Sequence, residues 1–262
     1  MQLFDSHAHY DDRRFDEEFE GGGRGALIKA HKLGVEYIAN IGSNLRTSDN
    51  SVALAEEFDF VVAAAGIHPT DAQEIPSKEV DKALAYIEKL AAHEKVRAIG
   101  EIGYDYHWEP VDKERQKYFF DAQMEIARRV DLPVIIHSRD AMGDTLDLLS
   151  EHSGVTGVMH SFSGSAEVAR QLTEKGWYVS FSGPVTYKNA NKVKESAAIV
   201  PDERLLIETD CPYLPPVPHR GEINYSGYIH YTCETIADIR GISPENAAKM
   251  TYENAKRFYG IE

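Results

Sequence analysis

The sequence predicts a (β/α)8 barrel, and three observations carry that expectation. Short apolar runs of strand length recur along the chain, at residues 2–5, 37–41, 61–65, 96–99, 134–136, 158–159, 178–181 and 205–207. Between most of them lie stretches whose apolar residues repeat at helical spacing, and strand alternating with helix means a parallel sheet. Eight such units in 262 residues fit a single barrel-sized domain spanning 1–262. A doubly wound open sheet is the runner-up.

Taken in order, the first strand runs into Asp5-Ser6-His7-Ala8-His9. The acidic stretch 11–20 reads as a solvated helix face. The glycines of 21–25 read as a flexible bend before the first helix; without GxGxxG spacing they do not suggest a dinucleotide site. Helical periodicity covers 78–92, 113–130, 141–150, 166–175 and 189–197, and the chain closes with helices at 229–238 and 244–258. No repeat, low-complexity tract or linker marks a domain boundary.

Composition narrows the function classes. With 28 Lys and Arg against 43 Asp and Glu, the net charge is −15, so the general surface repels nucleic acid, and any phosphate substrate must be drawn in by metal ions and a few local cations. Two cysteines, Cys211 and Cys233, are too few for a disulfide framework and read as inert thiols in a reducing setting. The N-terminus lacks a signal-peptide pattern and no apolar run spans a bilayer, so the expected location is the cytoplasm, with no membrane association. No stable protein partner is implied, and a monomer is the default.

The residues that carry chemistry fall at the strand ends. His7 and His9 lie one residue apart on a strand and share a face, where two imidazoles can converge on a divalent cation. His68 follows the third strand, Glu101 the fourth, His137 and Arg139 the fifth, His160 the sixth, and Asp210 the eighth. In a barrel, chemistry sits at this C-terminal rim of the strands. Four histidines and two carboxylates exceed one tetrahedral zinc but suit two bridged cations. His7, His9 and Asp210 would hold the first ion, His137 and His160 the second, with Glu101 between them. Two ions about 4 Å apart can bind both the attacking and the leaving oxygen of a phosphodiester.

The ordered set FDSHAH, GIHP, GEIGYDY, PVIIHSRDA, MHSFSG and IETDCPYLPP, closed by SPENAAKMTYENAKRFYG, resembles the TatD family of metal-dependent deoxyribonucleases within the amidohydrolase-like barrels. The resemblance runs nearly end to end. It implies metal-site roles for His7, His9, Glu101, His137, His160 and Asp210, two divalent ions (Mg²⁺ or Mn²⁺, with Zn²⁺ also compatible), and a 3′→5′ exodeoxyribonuclease acting on single-stranded DNA as substrate. A carboxylate at the fourth strand, where related barrels often carry a modified lysine, favours this group over cyclic-amide and phosphotriester hydrolases. One departure stands out. Where the family tends to show Asn-Glu-Pro after an Arg-Gly pair, this chain has Arg220-Gly221 and then Asn224-Tyr225-Ser226. That loop is expected to border the mouth and to affect substrate preference.

Beyond the ligands, Asp210 is placed to take the proton from the attacking water. Glu208 and Asp5, one layer deeper on their strands, either fix ligand orientation or form a buried ion pair. His68 contacts substrate phosphate, orients the water, or is structural. Arg139 either grips a phosphate or makes a rim salt bridge with Asp140 or Asp105, whereas Asp105 itself reads as a loop pin. Tyr104, Tyr106, Trp108 and Phe162 either stack on unpaired bases or pack in the core; Tyr106, Phe162 and Arg220 complete the expected substrate contacts. Two alternatives remain at this level. One is an ester or amide hydrolase of the same superfamily, such as an aminoacyl-nucleic-acid deacylase, for which the altered loop leaves room. The other is a metal-binding scaffold without turnover.

Overall fold

The computed structural model describes residues 1–262. The elements follow one another as β1 (Leu3–Ala8), α1 (Arg14–Glu18), α2 (Gly22–Lys32), β2 (Val35–Ile41), α3 (Leu45–Glu57), β3 (Val61–Ala65), α4 (Pro69–Glu74), α5 (Val80–Ala91), β4 (Val96–Asp105) and α6 (Lys113–Val130). They continue with β5 (Val134–Arg139), α7 (Met142–Glu151), β6 (Gly157–Met159), α8 (Ala166–Glu174), β7 (Tyr178–Phe181), α9 (Asn191–Ile199), β8 (Leu205–Ile207), α10 (Ile229–Arg240) and α11 (Pro244–Tyr259). The strands form one sheet in chain order, β1 through β8, and the bridge Ala8–Cys211 returns the last strand to the first. This is the (β/α)8 class; strand order without a switch point excludes the doubly wound alternative. No helix is long and apolar enough to cross a membrane.

The chain packs as two compact units, Met1–Asn40 with His160–Glu262, and Ile41–Met159. Their edges fall at Asn40/Ile41 and Met159/His160, in strand ends and not in a linker, so no composition shift marks them in the sequence.

In the first unit, β1 pairs in parallel with β2 and β7 with β8. Every residue of β1 is buried, because α11 covers it: Phe4 stacks on Tyr259 at 5.4 Å, and the Tyr259 hydroxyl donates to the Ser6 carbonyl at 2.7 Å. α11 itself starts at Ser243, whose hydroxyl accepts from Asn246 N–H, with Pro244 in the first turn, and stops at Gly260 in the left-handed region. The glycine-rich stretch is not a bend, as the sequence suggested, but the start of α2. A Cβ on Gly23 would stand 2.1 Å from the Tyr10 carbonyl oxygen, so these glycines serve close approach to the segment that follows His9. Gly23→Ala, which helix propensity alone would favour, is therefore expected to destabilise by about 1–3 kcal/mol through overpacking. A shift of the urea midpoint to higher concentration would overturn that. Nor is 11–20 one solvated helix: only Arg14–Glu18 is helical, and Phe15 is buried on Tyr10.

In the second unit, β3, β4, β5 and β6 pair in parallel. β4 runs on to Asp105 and β5 to Arg139, well past their apolar runs, with Gly103 opposite His137 and Asp105 opposite Arg139. The strands pass closely around Glu101: a Cβ on Gly66 would meet the Gly100 backbone at 2.5 Å, and one on Gly100 would meet Ile135 Cβ at 2.7 Å. α3 is fixed by a reciprocal cap between Asn44 and Thr47.

Candidate metal centre

In the first unit, β1 and β8 lay their polar residues together. Asp210 N–H donates to the His7 carbonyl at 2.9 Å and His9 N–H to the Cys211 carbonyl at 2.8 Å, which fixes the strand ends against each other. The side chains then converge. His7 Nε2 and His9 Nε2 are 3.1 Å apart, and Asp210 Oδ1 lies 3.7 Å from the first and 3.4 Å from the second. His160 stacks on His7 with ring centroids 4.0 Å apart, and ligand atoms of His7, His160 and Asp210 all fall within 4.8 Å of one another. Burial pushes the Asp210 carboxyl up, but a hydrogen bond from His9 and the charges of His160, His7 and His9 outweigh it and hold the group below the usual carboxylate range. Asp210 and Ser161 both adopt positive φ, 56° and 42°, a conformation non-glycine residues keep only where their surroundings enforce it.

The supports beneath are specific. Glu208 Oε1 lies 3.2 Å from His160 Nδ1 and accepts from Ser161 N–H at 2.7 Å, while Oε2 is buried without a hydrogen-bond partner. Asp5 does not reach the His7 ring. It accepts from the N–H groups of His7 and Thr209 at 3.3 and 2.8 Å and from the hydroxyls of Thr209 and Ser226. Burial pushes its carboxyl up to about 7, against the opposing pull of these donors. Asn224 Nδ2 donates to the Thr209 and Tyr213 carbonyls at 2.9 and 2.7 Å. In the atypical stretch, Asn224, Tyr225, Ser226 and Gly227 are buried, and Asn224 braces the backbone on either side of Asp210.

In the second unit, Glu101 is 4% exposed and its Oε1 lies 2.8 Å from His137 Nδ1. His137 Nε2 stands 3.0 Å from Asp105 Oδ2, so both ring nitrogens face carboxylates. His68, Asp105 and His137 place ligand atoms within 4.8 Å of one another, and His68 Nε2 is 3.9 Å from Glu101 Oε1. His68 is the N-cap of α4; its Nδ1 accepts from Thr70 N–H, which leaves the proton on Nε2. Asp105 is pushed up by burial, yet hydrogen bonds from His137 and the His107 N–H and the charges of His137 and His68 bring it below the usual range.

Two glutamines that the sequence reading passed over hold this cluster. Gln116 Oε1 accepts from Asp105 N–H at 2.9 Å and its Nε2 donates to the Asp105 carbonyl at 2.8 Å; Gln123 does the same to Ile67, beside His68, at 2.7 and 3.1 Å. Both are fully buried on α6, seven residues apart. Polar side chains at helical spacing on an otherwise apolar face were the available signal.

The donor sets fit divalent cations. A neutral imidazole has one N–H to give, so His137 between two carboxylates joins lone pairs at one contact unless a proton or cation intervenes. The same holds for two Nε2 atoms 3.1 Å apart beside Asp210 Oδ1. Mixed imidazole and carboxylate donors suit zinc or manganese, with magnesium drawn more to the carboxylates.

The expected substrate contacts divide. Phe162 is 3% exposed, its ring edge-on to Phe181 and pressed against Gly164, so it is a core side chain and offers no base-stacking face. Tyr104 is buried too. The half-buried Tyr106 donates its hydroxyl to Asp144 and carries Lys113 Nζ 3.9 Å above its ring. Arg139 is exposed and lies over Trp108, not in a salt bridge with Asp140 or Asp105. Arg220 is exposed over Tyr187. Both cysteines are buried, and burial pushes the Cys233 thiol up to about 12 and that of Cys211 higher still, so neither is a nucleophile.

Residues 4–260 match the family model described as TatD related DNase. The chain is 46% identical over 261 residues to the uncharacterized metal-dependent hydrolase YabD of Bacillus subtilis strain 168, covering 99% of each protein. It is 38% identical over 264 residues to the uncharacterized metal-dependent hydrolase YcfH of Escherichia coli K12, covering 100% of this chain and 97% of that one. The crystal structure of YjjV, a TatD homolog from E. coli K12, superposes with a TM-score of 0.90 at 28% identity, over 99% of this chain and 98% of that one. On fold, sequence and the imidazole and carboxylate clusters alike, the chain belongs to the TatD-related DNase family and is a metal-dependent hydrolase.

Proposed function

We propose that the protein is a phosphodiesterase that trims single-stranded DNA from the 3′ end in the cytoplasm, acting as a monomer with two divalent ions. The observation that carries the reading is the pair of donor clusters, His7–His9–His160–Asp210 and Glu101–Asp105–His137, each built on strand ends of a (β/α)8 sheet. His7, His9 and Asp210 would hold one ion, and Glu101 with His137 the other. When bound, such ions lower the pKa of water and offset charge on the phosphate. The side chains do the rest. Asp210, held ionised, takes the proton of the attacking water on a carboxylate oxygen. His68, with its proton on Nε2, donates to a phosphate oxygen. Glu208 fixes the His160 ring through Nδ1. The 3′ polarity follows the family resemblance.

The deacylase alternative drew its room from the altered loop, whose residues 224–227 are buried, so no observation favours it over the nuclease. The test uses chelator-stripped protein, a 5′-labelled single-stranded oligodeoxynucleotide and add-back of magnesium, manganese or zinc. A metal-dependent ladder shortening from the 3′ end is expected. An intact oligonucleotide under every metal, with turnover of an aminoacyl ester, would replace this reading with the deacylase; metal bound at fixed stoichiometry with no turnover of either would leave a scaffold.

A further inference from the structure

Two side chains at the end of β5 and in the loop after β4 play no part in the centre described above. Trp108 is 56% exposed, while the other tryptophan, Trp177, is buried. The Arg139 guanidinium carbon lies 5.3 Å from the Trp108 ring centroid. The carboxylates available to Arg139 are engaged elsewhere, Asp140 with His107 Nδ1 at 3.3 Å and Asp105 with His137 Nε2 at 3.0 Å. An indole and a guanidinium thus stand together at the surface, the indole also edge-on to the His107 ring at 4.8 Å, and Arg139 makes no salt bridge.

Their placement is tied to the candidate centre. Asp105 Oδ1 accepts the His107 N–H at 2.8 Å while Oδ2 faces His137. One buried carboxylate therefore fixes both the metal-site imidazole and the loop that carries Trp108. Arg139 is the register partner of Asp105 across β4 and β5, and lies two residues beyond His137 on the same strand. The two tyrosines of this segment are spent: Tyr104 is buried, and Tyr106 is covered by Lys113 and bonded to Asp144.

We infer that Trp108 and Arg139 form a substrate subsite beside His137, the indole stacking on an unpaired nucleobase and the guanidinium gripping the adjoining phosphate. This rests on the single-strand nuclease reading above. Every base has a π face, so stacking tolerates sequence, whereas bases paired within a duplex cannot reach a lone indole. The planar guanidinium both stacks on aromatic rings and binds phosphate through two N–H groups at once. On a chain of net charge −15, a local cation of this kind is what a polyanionic strand needs at the rim.

The experiment uses the full chain with manganese and compares wild type, Trp108→Ala, Trp108→Phe and Arg139→Lys. With a phosphorothioate single-stranded oligodeoxynucleotide as probe, saturable quenching of tryptophan emission is expected in the wild type and its loss in Trp108→Phe, because the remaining Trp177 is buried. With a cleavable oligonucleotide, Trp108→Ala is expected to raise KM about tenfold with a much smaller change in kcat. Trp108→Phe recovers most of that loss, and Arg139→Lys raises KM because an ammonium lacks the planar fork. Equal KM in wild type and Trp108→Ala, or probe binding without quenching, overturns the subsite while leaving the nuclease reading intact. Wild-type protein that hydrolyses methyl p-nitrophenyl phosphate yet neither binds nor cuts an oligonucleotide overturns both.

Discussion

Glu101→Gln is expected to lower phosphodiester turnover on the order of a thousandfold while leaving the chain folded. Gln keeps the volume of the side chain and an oxygen that can still accept from His137 Nδ1, now 2.8 Å away. The backbone around it is set by other contacts: Glu101 N–H donates to the Gly42 carbonyl, and Gly66 and Gly100 pack their strands too closely for a side chain. What disappears is one negative charge at the place proposed for a metal ligand. Charge stabilisation by such ions is worth several kcal/mol in the transition state, which corresponds to about a thousandfold in rate. Metal content is expected to fall with activity, and the thermal midpoint to move by only a few degrees. Wild-type kcat at wild-type metal content would remove Glu101 from the centre.

Why Glu101 was legible, and Gln116 was not, has a physical reason. Strands of a parallel sheet are apolar on both faces, so a carboxylate or imidazole at the end of such a run stands out, as His7, Glu101, His137, His160 and Asp210 all do. The strand cores 61–65, 178–181 and 205–207 match the observed bounds because nothing but packing defines them. Where polar residues continue the ladder, as from Gly100 to Asp105 in β4, the apolar pattern ends before the strand does. The loop pin Asp105 thereby turned out to lie inside a strand and against His137. Gln116 and Gln123 sit among amphipathic helix residues whose pattern gives no hint of their backbone partners. The glycines of α2 misled for the opposite reason: read locally they signal flexibility, and only the Tyr10 carbonyl above Gly23 shows why a side chain is excluded.

Asp5 presents the second large effect, on stability more than on rate. Its carboxylate is fully buried and is the common acceptor for Thr209 N–H, the Thr209 and Ser226 hydroxyls, and His7 N–H. Ser226 is further tied to Tyr10, whose hydroxyl accepts the Ser226 N–H at 2.9 Å and donates to Ser226 Oγ at 2.8 Å. Asp5→Ala strips all four donors of their partner at once. Each buried donor left unsatisfied costs about 1–3 kcal/mol, so even with partial relaxation the loss is expected to reach roughly 4 kcal/mol. That is a large share of the whole stability of a domain, typically about 5–15 kcal/mol. Asp5→Asn keeps one accepting oxygen for the Thr209 N–H, and its amide can donate to hydroxyls free to rotate, so it should lose less than half as much. The pair of variants separates a polar hub from a packing site. If shape alone mattered, Asn would be neutral and Ala would cost only its cavity, about 1 kcal/mol for so small a side chain. The measurement is urea unfolding of metal-stripped protein, with equal slopes required before midpoints are compared. The sequence position that departs from the family, Ser226 in place of proline, acts here through the backbone that carries His7 and Asp210. Its consequence is therefore expected in the unfolding midpoint of Asp5 variants before it is seen in any choice of substrate.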